Sequence, residues 1–191
     1  MKRLLTAATV VLVALYPGLI YFGLKSLGTV VIGGLLGVLF LLRFALFASS
    51  EKAGKWLPMS VALLGVILTV WASVADSPLL LRLYPVSVNV VLLAAFAYTL
   101  AHPPSMIEVF ARISNPDLPQ DAVRYTRKVT IVWCGFFLIN GLIALWTALL
   151  AGIETWTLYN GLISYCAIGA LVAGEVIFRR FLMQKRSKHG T

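Results

Sequence analysis

Long apolar stretches, broken by short clusters of charge, proline or glycine, fill most of the chain: residues 4–24, 27–47, 56–74, 83–101, 129–151 and 156–178. Each has about the 20 residues that an α-helix needs to cross the hydrocarbon of a bilayer. The pattern predicts an all-α, polytopic transmembrane bundle of six helices. Met1-Lys2-Arg3 ahead of the first stretch has the look of a signal peptide. However, no small-residue cleavage site follows, and Tyr16-Pro17-Gly18-Leu19 continues the apolar run, so an uncleaved first span is expected.

Charge orients these spans, because positively charged short loops stay on the cytoplasmic side. With both termini inside, that side receives Lys2, Arg3, Arg43, Lys52, Lys55, Arg112, Arg124, Arg127 and Lys128, followed by Arg179, Arg180, Lys185, Arg186 and Lys188. Of the 16 basic residues only Lys25 and Arg82 fall on the other side. An odd number of spans breaks this asymmetry. Trp56, Trp71, Trp133 and Trp156 lie near predicted ends, where amphipathic rings prefer the headgroup region. No internal repeat, low-complexity run or long linker divides the chain, so residues 1–191 form one domain.

The one sizeable loop spans residues 102–128. Pro103-Pro104 ends the fourth helix, and Ser105-Met106-Ile107-Glu108 has the form of a capping box opening a short helix. Met106, Ile107, Phe110 and Ile113 share one face of that helix, which predicts an amphipathic helix at the membrane surface. Asn115-Pro116-Asp117-Leu118-Pro119 then turns the chain before the basic run Arg124-Tyr125-Thr126-Arg127-Lys128. Ser105, Glu108, Arg112, Arg124, Arg127 and Lys128 are the candidate residues of a cytoplasmic docking surface for a partner or for anionic lipid.

Composition supports a membrane solvent: 60% of residues are hydrophobic and 12% charged, against about 45–50% and about 25% in soluble domains. The net charge of +9 does not indicate nucleic acid, because the basic residues cluster at the ends of apolar runs.

Polar groups within the spans are costly and each needs a partner or a function. Asn89, Asn140 and Asn160 fall in the outer half of the membrane and are positioned to converge with Tyr159, Thr147 and Tyr165. Hydrogen bonding between helices is their simplest role. Glu175 lies one turn inside the last span and Arg43 at a similar depth, which makes an ion pair between them a candidate. Cys134 and Cys166 fall in apolar segments without metal spacing. Phosphate-loop, zinc-protease and nucleophile-elbow motifs are missing, and the chain has only His102 and His189. No cofactor or metal is expected. Small residues line Gly33/Gly37, Gly141/Ala144/Ala148/Ala151 and Ala170/Gly174, positions at which helices approach closely.

Trp133-Cys134-Gly135-Phe136-Phe137, Asn140-Gly141, Ala144 and Trp156-Thr157-Leu158-Tyr159-Asn160-Gly161 together resemble the intracellular septation protein A family of bacterial inner-membrane proteins, with Leu118-Pro119 preceding the fifth span. Ala144 stands where that family has an asparagine, and Asn160 where it has a lysine. Pro103-Pro104-Ser105-x-Ile107-Glu108, Tyr125-Thr126-Arg127-Lys128-Val129-Thr130 and Leu158-Tyr159-Asn160-Gly161 look like segments of uncharacterised membrane proteins encoded in bacterial aryl-polyene and related fatty-acid-like biosynthesis clusters. That resemblance implies an inner-membrane protein beside acyl-carrier-protein-based assembly of an envelope lipid. Its expected partners are membrane lipids and cytoplasmic acyl-assembly or other inner-membrane proteins, and no nucleic acid. The expected role is a non-catalytic accessory one. The alternatives are a small lipid or proton-coupled transporter and a membrane-embedded acyl-processing enzyme, for which Glu175, Cys134 and His102 are the starting points.

The charge asymmetry sets a topology test. A cytoplasmic-type reporter fused after Lys188, or inserted within residues 114–120, is expected to be active inside, and one at Ser77 to report the opposite compartment. External signal from the 114–120 insertion overturns the orientation.

Overall fold

The computed structural model describes residue 11 and residues 15–49 and 55–189, without the side chains of residues 114 and 180–189. Among the described residues the chain is an all-helical bundle. Its elements are α1 (Tyr16–Ser26), α2 (Gly28–Ala48), α3 (Trp56–Val74), α4 (Pro78–Arg82) and α5 (Tyr84–Ala101), then α6 (Met106–Ser114), α7 (Gln120–Leu150) and α8 (Ile153–Leu158). A π-helical turn, Tyr159–Ile163, leads into the last helix, α9 (Ser164–His189). Five helical stretches are long and apolar enough to cross a membrane: Gly28–Ala48, Trp56–Val74, Pro78–Ala101, Gln120–Leu150 and Ile153–Arg179. Of the predicted first span, residues 4–24, positions 4–10 and 12–14 lie outside the described residues, and its second half is helical in α1.

Three predicted boundaries are corrected. The fourth span begins at Pro78 rather than residue 83, because Ser77 is extended and Pro78 opens the helix, where its missing N–H costs nothing. The fifth begins at Gln120 rather than residue 129, so the loop after α5 ends at Pro119 and Arg124, Arg127 and Lys128 stand on the first turns of α7. At 31 residues α7 is about 46 Å long, well beyond the hydrocarbon thickness of about 30 Å, and its charged turns extend past the apolar zone. The sixth span starts at Ile153 and is helical without interruption to His189.

Between α1 and α2 the chain breaks at Gly28, whose φ of +77° a side chain would disfavour. A second break, at Leu83, separates α4 from α5. Pro85 has no N–H for the carbonyl of Leu81 four residues earlier. The Tyr16 hydroxyl of α1 donates to that carbonyl instead, at 2.7 Å, and is fully buried. Tyr16, Phe40 and Tyr84 stack around this point, with ring centroids 4.7–5.9 Å apart. A second aromatic cluster lies toward the basic end, where Phe96 of α5 packs edge-on against Phe137 of α7 at 5.1 Å and also meets Trp133.

α2 and α3 pack through the Gly33/Gly37 stripe. A Cβ at Gly33 would collide with the Ser73 hydroxyl and lie 3.2 Å from the Thr69 carbonyl, and one at Gly37 would lie 3.3 Å from the Thr69 hydroxyl. Gly141 brings α7 equally close to Asn89 on α5, at 3.1 Å. The third stripe behaves differently: Ala170 is exposed and nothing lies within 4 Å of a Cβ on Gly174, so this face of α9 borders open space instead of a helix.

Gly33→Leu is expected to lower stability by about 1–3 kcal/mol, as overpacking of a close contact does. Denaturant titration in mild detergent measures it. Parent-like stability would mean that α2 meets α3 through another face.

Candidate functional site

The predicted asparagines are hydrogen-bonded in two sets, one joining Asn89, Asn140 and Tyr159 and the other joining Asn160 to Thr147. Asn89 on α5 accepts from the Asn140 amide of α7 at 3.0 Å, and its own amide donates to the Pro85 carbonyl. The Tyr159 hydroxyl donates to Asn140 at 2.9 Å. Asn160 donates to the Thr147 hydroxyl at 3.2 Å and to the Trp156 carbonyl. The π-helical turn, closed by the Ser164 N–H on the Tyr159 carbonyl, is the segment of the last span that presents Tyr159 and Asn160 to α7. All three asparagines are at least nine-tenths buried, and their partners are protein groups. The arrangement joins helices through protein groups. Tyr165 stands outside it, half-exposed on α9 and within electrostatic reach of Arg43.

At the ends away from the basic run the helices are tied by Arg82, whose guanidinium donates to the Thr147 and Ala151 carbonyls at the end of α7, each at 2.6 Å. A cation there also opposes the negative end of the helix dipole. The Arg82 carbonyl in turn accepts from the indole N–H of Trp156, a fully buried side chain.

The loop helix α6 is present, but Ser105 does not cap it. The Met106 and Ile107 N–H groups donate to Thr99 of α5 and Thr130 of α7, at 3.0 and 3.3 Å. Glu108, buried, receives the Arg112 guanidinium at 2.8–2.9 Å, and Arg112 also reaches the Pro116 carbonyl. The predicted capping box is therefore replaced by threonine hydroxyls from neighbouring helices and an ion pair that closes the loop. The apolar face divides as well: Met106 is buried, whereas Phe110 and Ile113 are exposed. Arg127 donates to the Leu100 carbonyl at the end of α5.

The expected Arg43–Glu175 pair does not form. Glu175 lies 3.7 Å from Arg179, one turn along α9, and accepts from the Tyr125 hydroxyl of α7 at 3.5 Å. Arg43 extends over the Phe47 ring, at 5.5 Å. Cys134 packs against the Phe96 cluster and His102 stacks on Tyr98, so the three starting points for an enzyme have separate surroundings.

Glu175 instead opens onto a groove of about 600 Å³ between α7 and α9. Asp121, Arg124, Tyr125, Lys128 and Glu175 supply its polar wall, and Val129, Val132, Trp133, Leu171, Gly174 and Phe178 its apolar wall. Tyr125 and Phe178 stack across it at 6.2 Å. Arg124 is 3.9 Å from Asp121, and among the described residues Lys128 has no ion pair. The groove thus unites Arg124, Lys128 and Glu175, which the sequence had assigned to two separate sites. Asp121 and Tyr125 carry no signal of their own in the sequence; the extension of α7 to Gln120 brings them in. Groups of three or more histidine, cysteine or acidic side chains able to hold a metal ion do not occur among the described residues.

These spans and their buried polar ties define a multi-pass membrane protein with an all-α helical bundle. Comparison with known proteins gives no match to a family model, a curated protein or a solved structure.

Asn140→Ala removes the donor to Asn89 and the acceptor of Tyr159, and is expected to cost about 1–2 kcal/mol, the scale of intramembrane hydrogen bonds. Tyr159→Phe removes one bond and should cost less. Thermal unfolding in detergent compares them; equal stability of Asn140→Ala and the parent removes the network as a structural tie.

Proposed function

We propose that this chain is a bacterial inner-membrane accessory protein, without catalysis of its own, that holds the acyl part of an amphiphile at the cytoplasmic face during envelope assembly. The observation that carries the reading is the groove between α7 and α9. Its polar residues stand at the basic end of the bundle and its apolar wall runs into the membrane, the arrangement an amphiphile needs. Its volume lies within the range of roughly 300–1,000 Å³ typical of single-ligand sites. The charge asymmetry supports the cytoplasmic orientation, and the resemblance to proteins of acyl-assembly clusters supplies the pathway. The pairing of Glu175 with Arg179 and Tyr125 favours a structural carboxylate over a proton carrier.

A photoactivatable acyl probe, cross-linked to the full chain in phosphatidylcholine vesicles and mapped by mass spectrometry, tests this. Label is expected to concentrate on Val132, Leu171 and Phe178. Gly174→Trp, which fills the groove from a position with open space around it, should remove most of that label while leaving the melting temperature unchanged. Even labelling of all lipid-facing helices overturns the reading. Proton flux that Glu175→Gln abolishes would replace it with the transporter.

A further inference from the structure

The charges around the groove are unequal in what they have left to offer. Asp121 lies beside Arg124 at 3.9 Å and Glu175 beside Arg179 at 3.7 Å, so both acids already face a cation. Lys128 is exposed, lines the same groove and has no ion pair among the described residues. Counting Arg179 with the lining, three cations face two acids, and the excess charge resides on Lys128. A zwitterionic head would have to take one acid from its present partner, whereas an anionic head needs only Lys128. The Tyr125 hydroxyl borders the same space and supplies a hydroxyl within the polar wall.

On α9 the apolar wall is made of Ala170, Leu171, Gly174 and Phe178, across from Val129, Val132 and Trp133 of α7. From Phe178 to Ala170 this wall extends about 12 Å along the helix axis, which lines the head-proximal part of a chain and leaves the distal part among the lipids.

We infer that the groove selects an anionic amphiphile, of the fatty-acid type, with its head on Lys128 and its chain between Val132 and Gly174. This rests on the reading that the groove holds an acyl chain, and adds the head charge and the residue that reads it.

The test uses the full chain in phosphatidylcholine vesicles with three photoreactive probes of equal chain length: a fatty acid, the corresponding fatty alcohol, and a two-chain phosphatidylglycerol. The fatty acid is expected to label the groove most strongly. Lys128→Ala should lower that labelling about five-fold, the scale of one interfacial cation on an anionic head. Lys128→Arg should retain it, Arg124→Ala should change it less, and labelling by the alcohol should ignore Lys128. Equal labelling by acid and alcohol, or insensitivity to Lys128→Ala, overturns the head-group assignment while the acyl groove stands. Phosphatidylglycerol labelling as strong as the acid makes the occupant ordinary anionic lipid and overturns the fatty-acid type. If Gly174→Trp leaves labelling by every probe intact, the occupant is ordinary surrounding lipid and the acyl-groove reading fails with the inference.

Discussion

A helix crossing hydrocarbon must satisfy its backbone polar groups without water, and a proline within it leaves a carbonyl that some other group has to serve. Pro85 creates that demand here, and its surroundings organise the end of the bundle opposite the basic run. The Leu81 carbonyl is taken by Tyr16, the Arg82 carbonyl by Trp156, and the Arg82 side chain serves the last carbonyls of α7. One short stretch thereby connects α1, α4, α7 and α8. One level deeper, the asparagine network continues the ties between α5, α7 and the π-helical turn. Past that turn α9 has few partners: only 6% of the apolar window of the Ile153–Arg179 span is buried, against 22–28% in the others. At the basic end the bundle stays open between α7 and α9, and the groove is that space.

The parts of this arrangement legible in the sequence are those that hydropathy and rarity mark. Apolar runs locate the spans because the bilayer demands length and little else. The asparagines stand out because few polar residues occur in such runs, and Gly33 and Gly37 because their spacing matches one helix face. What was hidden depends on partners distant in sequence. Ser105 and Glu108 have the spacing of a cap, yet Thr99 and Thr130 serve the first N–H groups of the helix, those of Met106 and Ile107, and Arg112 claims the carboxylate. Arg43 and Glu175 lie at similar depths on their helices, but depth does not fix the direction a side chain faces, and Glu175 turns toward Tyr125. The groove was invisible for a related reason: the basic run read as a loop is the start of a long helix, and only in that helix does Lys128 share a wall with Trp133.

The same geometry separates two uses of polar residues. The asparagine network is enclosed, each member meeting protein groups on neighbouring helices, which suits a permanent joint. The groove residues are partly exposed, and their acids and bases pair at 3.7–3.9 Å, longer than a close hydrogen-bonded pair such as Glu108 with Arg112 at 2.8 Å. Such pairs on a solvated rim contribute little to stability. The conformational constraint of the fold thus resides in its enclosed ties, and its capacity for recognition on the rim of the groove.

The sparse packing of α9 has a mechanical meaning. Among the described residues, that helix meets α7 across the groove through one ring stack and a 3.5 Å hydrogen bond, both from Tyr125, while its root is clamped by Trp156, Tyr159 and Asn160. The change of hydrogen-bond register at the π-helical turn stands directly beside the clamp, where helices are prone to kink. The direction of the whole last span is therefore set at Tyr159–Ile163, and its distance from α7 farther along rests on one tyrosine.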